Sequence, residues 1–582
     1  MTLSQALAIV ESRKQGADVK LHFLVCGFEP LHLAPLFQAH LLERLPHSKV
    51  EVQTGIYGDL RGNVSLAASS SAIAAAVAME WSDIDPRLGL RSAGGWGEES
   101  LADIPVNTLQ MFSQLERSLV GLAARMPVAF CGPSLPLPPL GHTIGEQAAV
   151  IELELEQQLA AFRLRLARVP GLRIVQPSAI GAPLPLAVRL DPKMELLAGF
   201  PYTVPFADAL AVALAHVLWQ QNPKKGLITD LDDTLWAGLV GELGVDGVSW
   251  QQESHSQVHG LYQQMLGRLA ACGVFIGVAS KNEMSTVAAA LARKDFFLKA
   301  KSLFPVAANW GPKSASVANI LSTWNIGADS VVFVDDSPME LEEVRRAFPG
   351  ITCLRFEPKD PAKVWTLFGE LRNLFGKPVL TEEDSLRLAS VRASAHLLAN
   401  AEDSVSADFL KGLEGTLTFQ WEVDAADKRP LELINKTNQF NLNGHRISEG
   451  DWLRMLEEPD KVIGVVSYQD KFGPLGRIGV LVGSASGTTI RVLHWVMSCR
   501  AFSRMLEHHA IQALFARSNA EEIDFAFEGT DRNQPLQAFF KTAGIRPDAS
   551  GAYRLSRTSS PQCAALPHRV ANIPERTSEI KE

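Results

Sequence analysis

Along the first third of the chain, short apolar runs alternate with longer amphipathic stretches. Val19–Cys26, Val50–Tyr57, Ile73–Met79, Val128–Cys131 and Leu172–Val175 have strand length, and Pro35–Leu45, Leu101–Ala124 and Thr143–Ala167 carry helical spacing. Strands alternating with helices predict a parallel, doubly wound α/β domain over 1–218. The alternation resumes over 219–378. Leu227 and Ile228 lead into Asp230, Asp232, Asp233 and Thr234, and a loop with Gly238, Gly241, Gly244 and Gly247 precedes an apolar helix, Val258–Ala271. The run from Val274 reads as a buried strand ending at Ser280, followed by Lys281 and Asn282. Asn309-Trp-Gly-Pro-Lys313 sets a lysine at the start of a helix carrying Val317 and Ile320, and Val331–Val334 is an apolar strand that ends in Asp335 and Asp336. Buried strands that end in polar residues place them at the carboxyl edge of a sheet, where α/β proteins put their chemistry.

The pattern changes over 379–560. A charged helical stretch, Glu382–Asn400, reads as a solvated linker. The polar segment Leu433–Asn441 reads as a loop. Val462–Tyr468, Arg477–Val482 and Ile490–Val496 follow at the spacing of an antiparallel meander. A helix over Arg500–Phe515, a strand at Ile523–Phe527, a helix through Pro535–Phe540 and a strand at Tyr553–Leu555 complete this region. The tail, 561–582, is rich in Ser, Pro and charge, and disorder is expected there.

Composition narrows the classes. At 582 residues the chain exceeds a single core, and three domains are expected. The formal net charge is −9, with basic residues scattered, so no nucleic-acid footprint is visible. The longest apolar stretch, Ala209–Trp219, is interrupted by His216 and falls short of the ~18 residues of a membrane span. The N-terminus shows no basic region leading into an apolar one, so no signal peptide is expected. The cysteines, Cys26, Cys131, Cys272, Cys353, Cys499 and Cys563, form no Cys-x-x-Cys pair. Neither a zinc site nor a disulfide framework is indicated, and a reduced, cytoplasmic protein is the expectation.

The candidate chemistry centres on Asp230-Leu-Asp232. The spacing sets two carboxylates on one tight turn: Asp230 as a nucleophile held by a metal, Asp232 as proton donor to a leaving oxygen. Alone, the same residues also describe a solvated acidic turn. The first domain is poorer. It has no Gly-Asp-Ser or Gly-x-Ser-x-Gly turn of a serine esterase. Its first strand ends in Val25-Cys26-Gly27-Phe28, where Cys26 reads most simply as a small buried residue. Asp59, Asp85 and Arg87 have no role that the sequence decides, and the domain reads as a scaffold or docking module.

Together, the four polar clusters of 219–378 resemble the four motifs of the haloacid dehalogenase superfamily of phosphotransferases (subfamily IIIC). The resemblance implies a Rossmann-like domain in which Asp230 attacks phosphorus and Asp232 shuttles the proton. It also implies that Thr234, Ser280, Lys281 and Asn282 contact the phosphoryl group, and that Lys313 neutralises charge. Mg²⁺ is held by Asp230, Asp232 and Asp335, with Asp336 a further ligand. The gaps Leu235–Ser280 and Asn282–Lys313 hold no full cap domain, which suggests a large substrate or a neighbouring domain as lid.

Asp-Leu-Asp-Asp-Thr-Leu-Trp-Ala-Gly-Leu-Val-Gly-Glu, Ala-Ser-Lys-Asn, Asn-Trp-Gly-Pro-Lys, Phe-Val-Asp-Asp-Ser-Pro and Asn-Lys-Thr-Asn-Gln-Phe-Asn are, more narrowly, similar to the FkbH-like proteins of polyketide pathways. That resemblance implies an SGNH-hydrolase-like first domain and a GNAT-like third. It also implies transfer of the glyceryl group of 1,3-bisphosphoglycerate, with dephosphorylation, to the phosphopantetheine thiol of an acyl carrier protein. Ser337 stands where that family usually has Asn, and Leu341 where it usually has Arg. Asn438, Gln439 and Asn441 become candidate polar contacts to substrate or carrier.

The order of elements after 379 resembles the N-acetyltransferase fold, but the glycines of a pyrophosphate-binding turn are missing from Met497–Arg504. In their place Cys499 precedes Arg500 and Arg504 near a helix start, with His494 upstream. Such surroundings favour a thiolate. Cys499 is either an acyl acceptor or a buried structural thiol, and Arg500 also reads as a phosphate contact. The alternatives to a glyceryl transferase are a Mg²⁺-dependent phosphatase whose last domain docks a carrier, a coenzyme A acetyltransferase, and a non-catalytic platform.

Overall fold

The computed structural model describes the chain except for residues 14–18, 46–47, 93–100, 141–142, 181–183, 186–187, 221, 378–379, 381–383, 385–390, 393–409, 472, 499–500, 502–503, 518–519, 549–550, 559–565 and 573–582. The described part divides into two compact units, Met1–Gln221 with Ile447–Glu458, and Asn222–Arg446 with Pro459–Glu582.

The first unit is built on five parallel strands, β1 (Val19–Val25), β2 (Lys49–Thr54), β3 (Ala74–Ala78), β4 (Val128–Cys131) and β5 (Leu172–Ile174), in the order β2-β1-β3-β4-β5. Every expected strand of this region is present, and apolar clusters cover both faces of the sheet, as parallel sheets require. The helix Glu449–Glu457 also belongs to this unit. It lies so close to β3 that a Cβ on Gly450 would stand 2.6 Å from the carbonyl oxygen of Ile73. Glu449 pairs with Arg173 and Asp451 with Lys20.

The residues the sequence left undecided are structural here. Cys26 is buried, and burial pushes its thiol well above the ordinary range, so it packs and does not attack. Asp59 caps a helix by accepting from the Gly62 amide at 2.7 Å. Asp85 and Asp103 bind Arg87, each at 2.7 Å.

The second unit begins with five more parallel strands, β6 (Gly226–Thr229), β7 (Phe275–Ser280), β8 (Leu303–Ala308), β9 (Val331–Asp335) and β10 (Thr352–Arg355), ordered β10-β9-β6-β7-β8. Helices Gln257–Ala271 and Pro361–Phe375 bury Tyr262, Leu266, Leu367 and Leu371 on one face, while Lys313–Trp324 and Pro338–Ala347 bury Val317, Ile320, Trp324 and Val344 on the other. The chain leaves β6 toward β7 and later returns on its other side as β9. The β6/β9 boundary is therefore the topological switch point, the crevice where such sheets bind ligands.

The rest of this unit is a mixed sheet of β11 (Thr416–Gln420), β12 (Phe440–Asn441), β13 (Lys461–Asp470), β14 (Gly473–Ser486), β15 (Thr489–Met497), β16 (Glu522–Phe525), β17 (Tyr553–Ser556) and β18 (Arg569–Asn572). Its order is β17-β16-β15-β14-β13-β11-β18, with β12 on β15. The expected meander is β13–β15. Two expectations are corrected. Leu433–Asn441 is not a loop throughout: it starts inside the helix Arg429–Lys436 and ends in β12. The tail is not wholly without structure, since Arg569–Asn572 pairs parallel to β11. Both pieces are too short to show a period, and both are held by partners distant in sequence. Of the stretch 382–400 only Asp384, Val391 and Arg392 are described. Among the described residues, no helix is long and apolar enough to cross a membrane.

Candidate active site

The register of the central sheet builds the site. Thr229 of β6 pairs with Val334 of β9, so the next residues, Asp230 and Asp335, emerge side by side at the carboxyl ends of the two strands at the switch point. Tyr262 donates to Thr229 Oγ1 at 3.1 Å, and Thr229 Oγ1 donates to the Asp230 carbonyl at 2.8 Å, which fixes the strand end. The chain then turns sharply. The amides of Thr234, Leu235 and Trp236 all point at the Leu231 carbonyl, and Asp233 takes a left-handed φ of 48°. A non-glycine residue pays for that conformation, and such strain collects at functional turns. The Asp233 carboxylate accepts from the Gly238 amide at 2.8 Å and holds the turn closed.

Lys313, first residue of its helix and 2% exposed, reaches into the acids. Its Nζ lies 2.9 Å from Asp230 Oδ1 and 2.5 Å from Asp335 Oδ2, and it also contacts Glu340. Glu340 stands in the first turn of the helix after β9 and takes a second cation, Lys281, at 3.0 Å. Asp230, Asp335 and Glu340 offer oxygens that all lie within 4.8 Å of one another.

Formal charges show what this cluster lacks. Three carboxylates face two ammonium groups, and Asp335 and Lys313 are almost fully buried. Burial pushes the Asp230 carboxyl up to about 6 against the pull of Lys313. Burial, and then the charge of Asp230, push Asp335 up to about 8. Burial works against the Lys313 ammonium, but the carboxylates of Asp230, Asp335 and Glu340 outweigh it and hold the proton above the usual lysine range. Asp230 Oδ1 is buried without a hydrogen-bond partner; its contact with Lys313 is an ion pair outside hydrogen-bonding geometry. Hard, converging, under-neutralised oxygens of this kind fit Mg²⁺, which takes carboxylates and keeps waters.

Asp232 lies outside this trio. Its Oδ1 accepts from Trp236 Nε1 at 2.8 Å and from the Val240 amide at 3.0 Å, and its Oδ2 accepts from Asn282 at 2.9 Å. Three donors fix its rotamer. Asn282 also donates to Ser280 Oγ at 3.0 Å, which leaves the Ser280 hydroxyl hydrogen available for a phosphoryl oxygen. Thr234 is spent on structure: Oγ1 donates to Asp336 Oδ1 at 3.3 Å and accepts from the Asp336 amide at 3.1 Å. That bond ties one oxygen of the Asp336 carboxylate to Thr234. The acid that clusters with Asp230 and Asp335 is Glu340. Sequence reading missed Glu340 because its acid comes one helical turn after Asp335, in a stretch, Glu340-Leu-Glu-Glu, that looks like an ordinary charged helix face. Its spacing from a strand-terminal Asp was the available signal.

The expected polar contacts of the C-terminal domain are placed differently. Asn441 is buried; its Nδ2 donates to the Thr437 carbonyl at 2.9 Å, and its Oδ1 accepts from the Gly444 amide at 2.8 Å. Asn438 accepts from Arg446, and Gln439 donates to Asn325 at 3.3 Å. Lys225 Nζ donates to the Lys436 carbonyl at 3.0 Å, and Arg532 pairs with Asp329 at 3.3 Å. Asn325, Asp329 and Lys225 all precede strands β9 or β6, so this interface lies at the amino ends of the strands, the edge opposite Asp230. Cys499 and Arg500 lie outside the described residues. Arg504 is buried against Asp470, 3.5 Å away, and burial lowers the His494 imidazole to about 4, so it stays neutral.

No protein-family model and no curated protein matches the chain. Among solved structures, the chain is similar to the N-terminal part of the protein BF1531 from Bacteroides fragilis, which contains a phosphatase domain and is complexed with Mg. The match has 19% identity and a TM-score of 0.50, and covers 65% of this chain and all of that one. Over the matched part the chain shares the overall fold of that structure. At that identity the likeness concerns fold alone. A second match is to a GCN5-related glucosamine N-acetyltransferase region of a fungal multi-domain GH3 β-N-acetylglucosaminidase, at 10% identity and a TM-score of 0.17, over 94% of this chain and 68% of that one. That score carries no weight, and the last domain is judged on its own topology.

Proposed function

We propose that the protein is a Mg²⁺-dependent phosphatase that works through Asp230. The observation that carries this reading is the convergence of Asp230, Asp335 and Glu340 on Lys313 at the switch point. The Mg in the Bacteroides fragilis phosphatase-domain structure supports the same metal.

Bound there, Mg²⁺ would neutralise charge on a phosphoryl oxygen. The residues of the chain do the rest. The substrate phosphate enters between Ser280, Lys281 and Lys313. An Asp230 oxygen bonds to phosphorus as the bond to the leaving oxygen breaks, and Asp232 gives that oxygen its proton. Water then attacks the aspartyl phosphate, Asp232 takes the water's proton, and inorganic phosphate departs with Asp230 restored. Asn282 and Trp236 hold Asp232 in place for both steps.

A finer reading makes the substrate 1,3-bisphosphoglycerate and the acceptor the phosphopantetheine thiol of an acyl carrier protein in polyketide synthesis. Motif identity and the uncapped site support it. The Cys499 thiolate would displace the acyl phosphate to form a thioester, and the carrier thiol would then displace Cys499. The remaining phosphate ester falls to Asp230. The geometry of the described residues serves the phosphoryl step, so the phosphatase with a carrier-docking last domain is the better supported of the two.

The test is incubation of the full chain with 1,3-bisphosphoglycerate, Mg²⁺ and a phosphopantetheinylated carrier, read by phosphate release and by carrier mass. Thiol attack frees the acyl phosphate without Asp230, so the deciding signal is the ester phosphate: its release lost in Asp230→Asn supports the phosphatase, and its release surviving that change defeats the reading. A glyceryl adduct lost in Cys499→Ala supports transfer. Release with no adduct defeats transfer alone.

A further inference from the structure

The last domain contains a cleft that its own chain has filled. Strands β15 and β16 run parallel only from Thr489↔Glu522 to Val492↔Phe525. Beyond that point they diverge, and the side of β15 that faced β16 is left with backbone groups to satisfy. An extended ligand with amides, such as the pantetheine arm of coenzyme A or of a carrier, suits such an edge, because it can add as a strand.

Phe440–Asn443 lies in that gap and bonds to both walls. Phe440 and Asn441 pair antiparallel with Met497 and Val496 of β15. The Leu442 amide donates to the Trp495 carbonyl at 3.0 Å, and the Leu442 carbonyl accepts from the Glu528 amide, beyond β16, at 3.1 Å. Asn443 Nδ2 spans the divergence itself: it donates to the Leu493 carbonyl at 2.9 Å and to that of Ala526 at 3.2 Å. Asn533 adds a strap from the other side, donating to the carbonyls of Asn441 and Glu528 at 3.0 and 2.8 Å. The wedge is anchored in the core, with Phe440 and Leu442 buried and the Phe440 ring 5.2 Å from Trp495.

We propose that Phe440–Asn443 permanently takes the strand position between β15 and β16, so that the last domain accepts no pantetheine arm there. The end of the Asn-Lys-Thr-Asn-Gln-Phe-Asn segment, Phe440 and Asn441, is then a built-in strand. The segment's upstream end ties to the central domain through Lys436 and Gln439. The inference does not depend on the phosphatase reading.

The experiment is calorimetric titration of the full chain with coenzyme A and with pantetheine at millimolar concentration, alongside amide hydrogen exchange with and without each. The expected result is no saturable heat and unchanged protection at 440–443 and 493–497. Saturable binding with protection unchanged in both segments also supports a closed cleft, since the ligand then sits elsewhere. Saturable binding that exposes 440–443 to exchange while 493–497 stays protected overturns the proposal, because the arm has then replaced the wedge.

Discussion

Replacing Lys313 by Met removes the cation that three carboxylates share, at nearly constant side-chain length. The lysine is 2% exposed and contacts Asp230, Asp335 and Glu340. Breaking a buried ion pair from one side costs about 3–5 kcal/mol, because the partner charge is left uncompensated. For a domain of this size each kcal/mol moves the melting temperature by roughly 2–4 °C, so the central domain should lose roughly 6–20 °C. The loss depends on pH. The carboxyls of Asp230 and Asp335 are raised, to about 6 and about 8, above an unperturbed 3.8. Groups raised in the folded state favour folding below their unfolded value, and that contribution is lost as pH rises through the folded one. The variant should therefore differ least from wild type at about pH 5, where Asp230 and Asp335 carry protons and only Glu340, held against burial below the usual carboxylate range, stays charged, and most near pH 9. Thermal unfolding of both proteins at these two pH values, in chelator and in Mg²⁺, reads all of this. The ion should restore more stability to the variant than to wild type, since it replaces the missing positive charge. Equal melting of variant and wild type near pH 9 in chelator would refute the charge accounting on which the metal assignment rests.

Other outcomes follow from the same geometry. Asp230→Asn should lower phosphate release at least about a thousandfold, measured with any substrate the wild type hydrolyses, while melting in chelator holds or rises because one buried acid is gone. Glu340→Gln should raise the Mg²⁺ concentration for half-maximal activity roughly 10- to 100-fold, the usual effect of loosening a metal's surroundings; an unchanged requirement would remove Glu340 from the metal site. Asn282→Ala frees one oxygen of Asp232 and should lower kcat up to about a hundredfold with KM little altered, whereas a KM effect alone would make Asn282 a phosphate contact only. Metal-free wild type should lose stability as pH rises from about 4 to about 8, most steeply below about 6, and saturating Mg²⁺ should flatten that slope, as denaturant midpoints across the range would show.

Much of this was legible in the sequence because it is local. Strand and helix periods depend on neighbours a few residues apart, so the strands of the first parallel sheet, β6, β7 and β9 of the second, and the meander β13–β15 could be placed from pattern alone, while the edge strands β8 and β10 were not. Chemistry at strand ends was legible for the same reason: an apolar run that stops at Asp230, Ser280 or Asp335 announces its edge. What needed the tertiary structure depends on pairing across long separations. Strand order and the Thr229↔Val334 register decide that Asp230 meets Asp335. The fold of the helix after β9 decides that Glu340 completes the acidic trio. A two-residue strand such as β12 has no period to read, and only the divergence of β15 from β16 gives it a place. Gly450 looks like any loop glycine until Ile73 lies against it. Sequence determined which chemistry the chain carries and on which edges; the folded contacts, made between residues it could not show to be neighbours, decided which side chains act together.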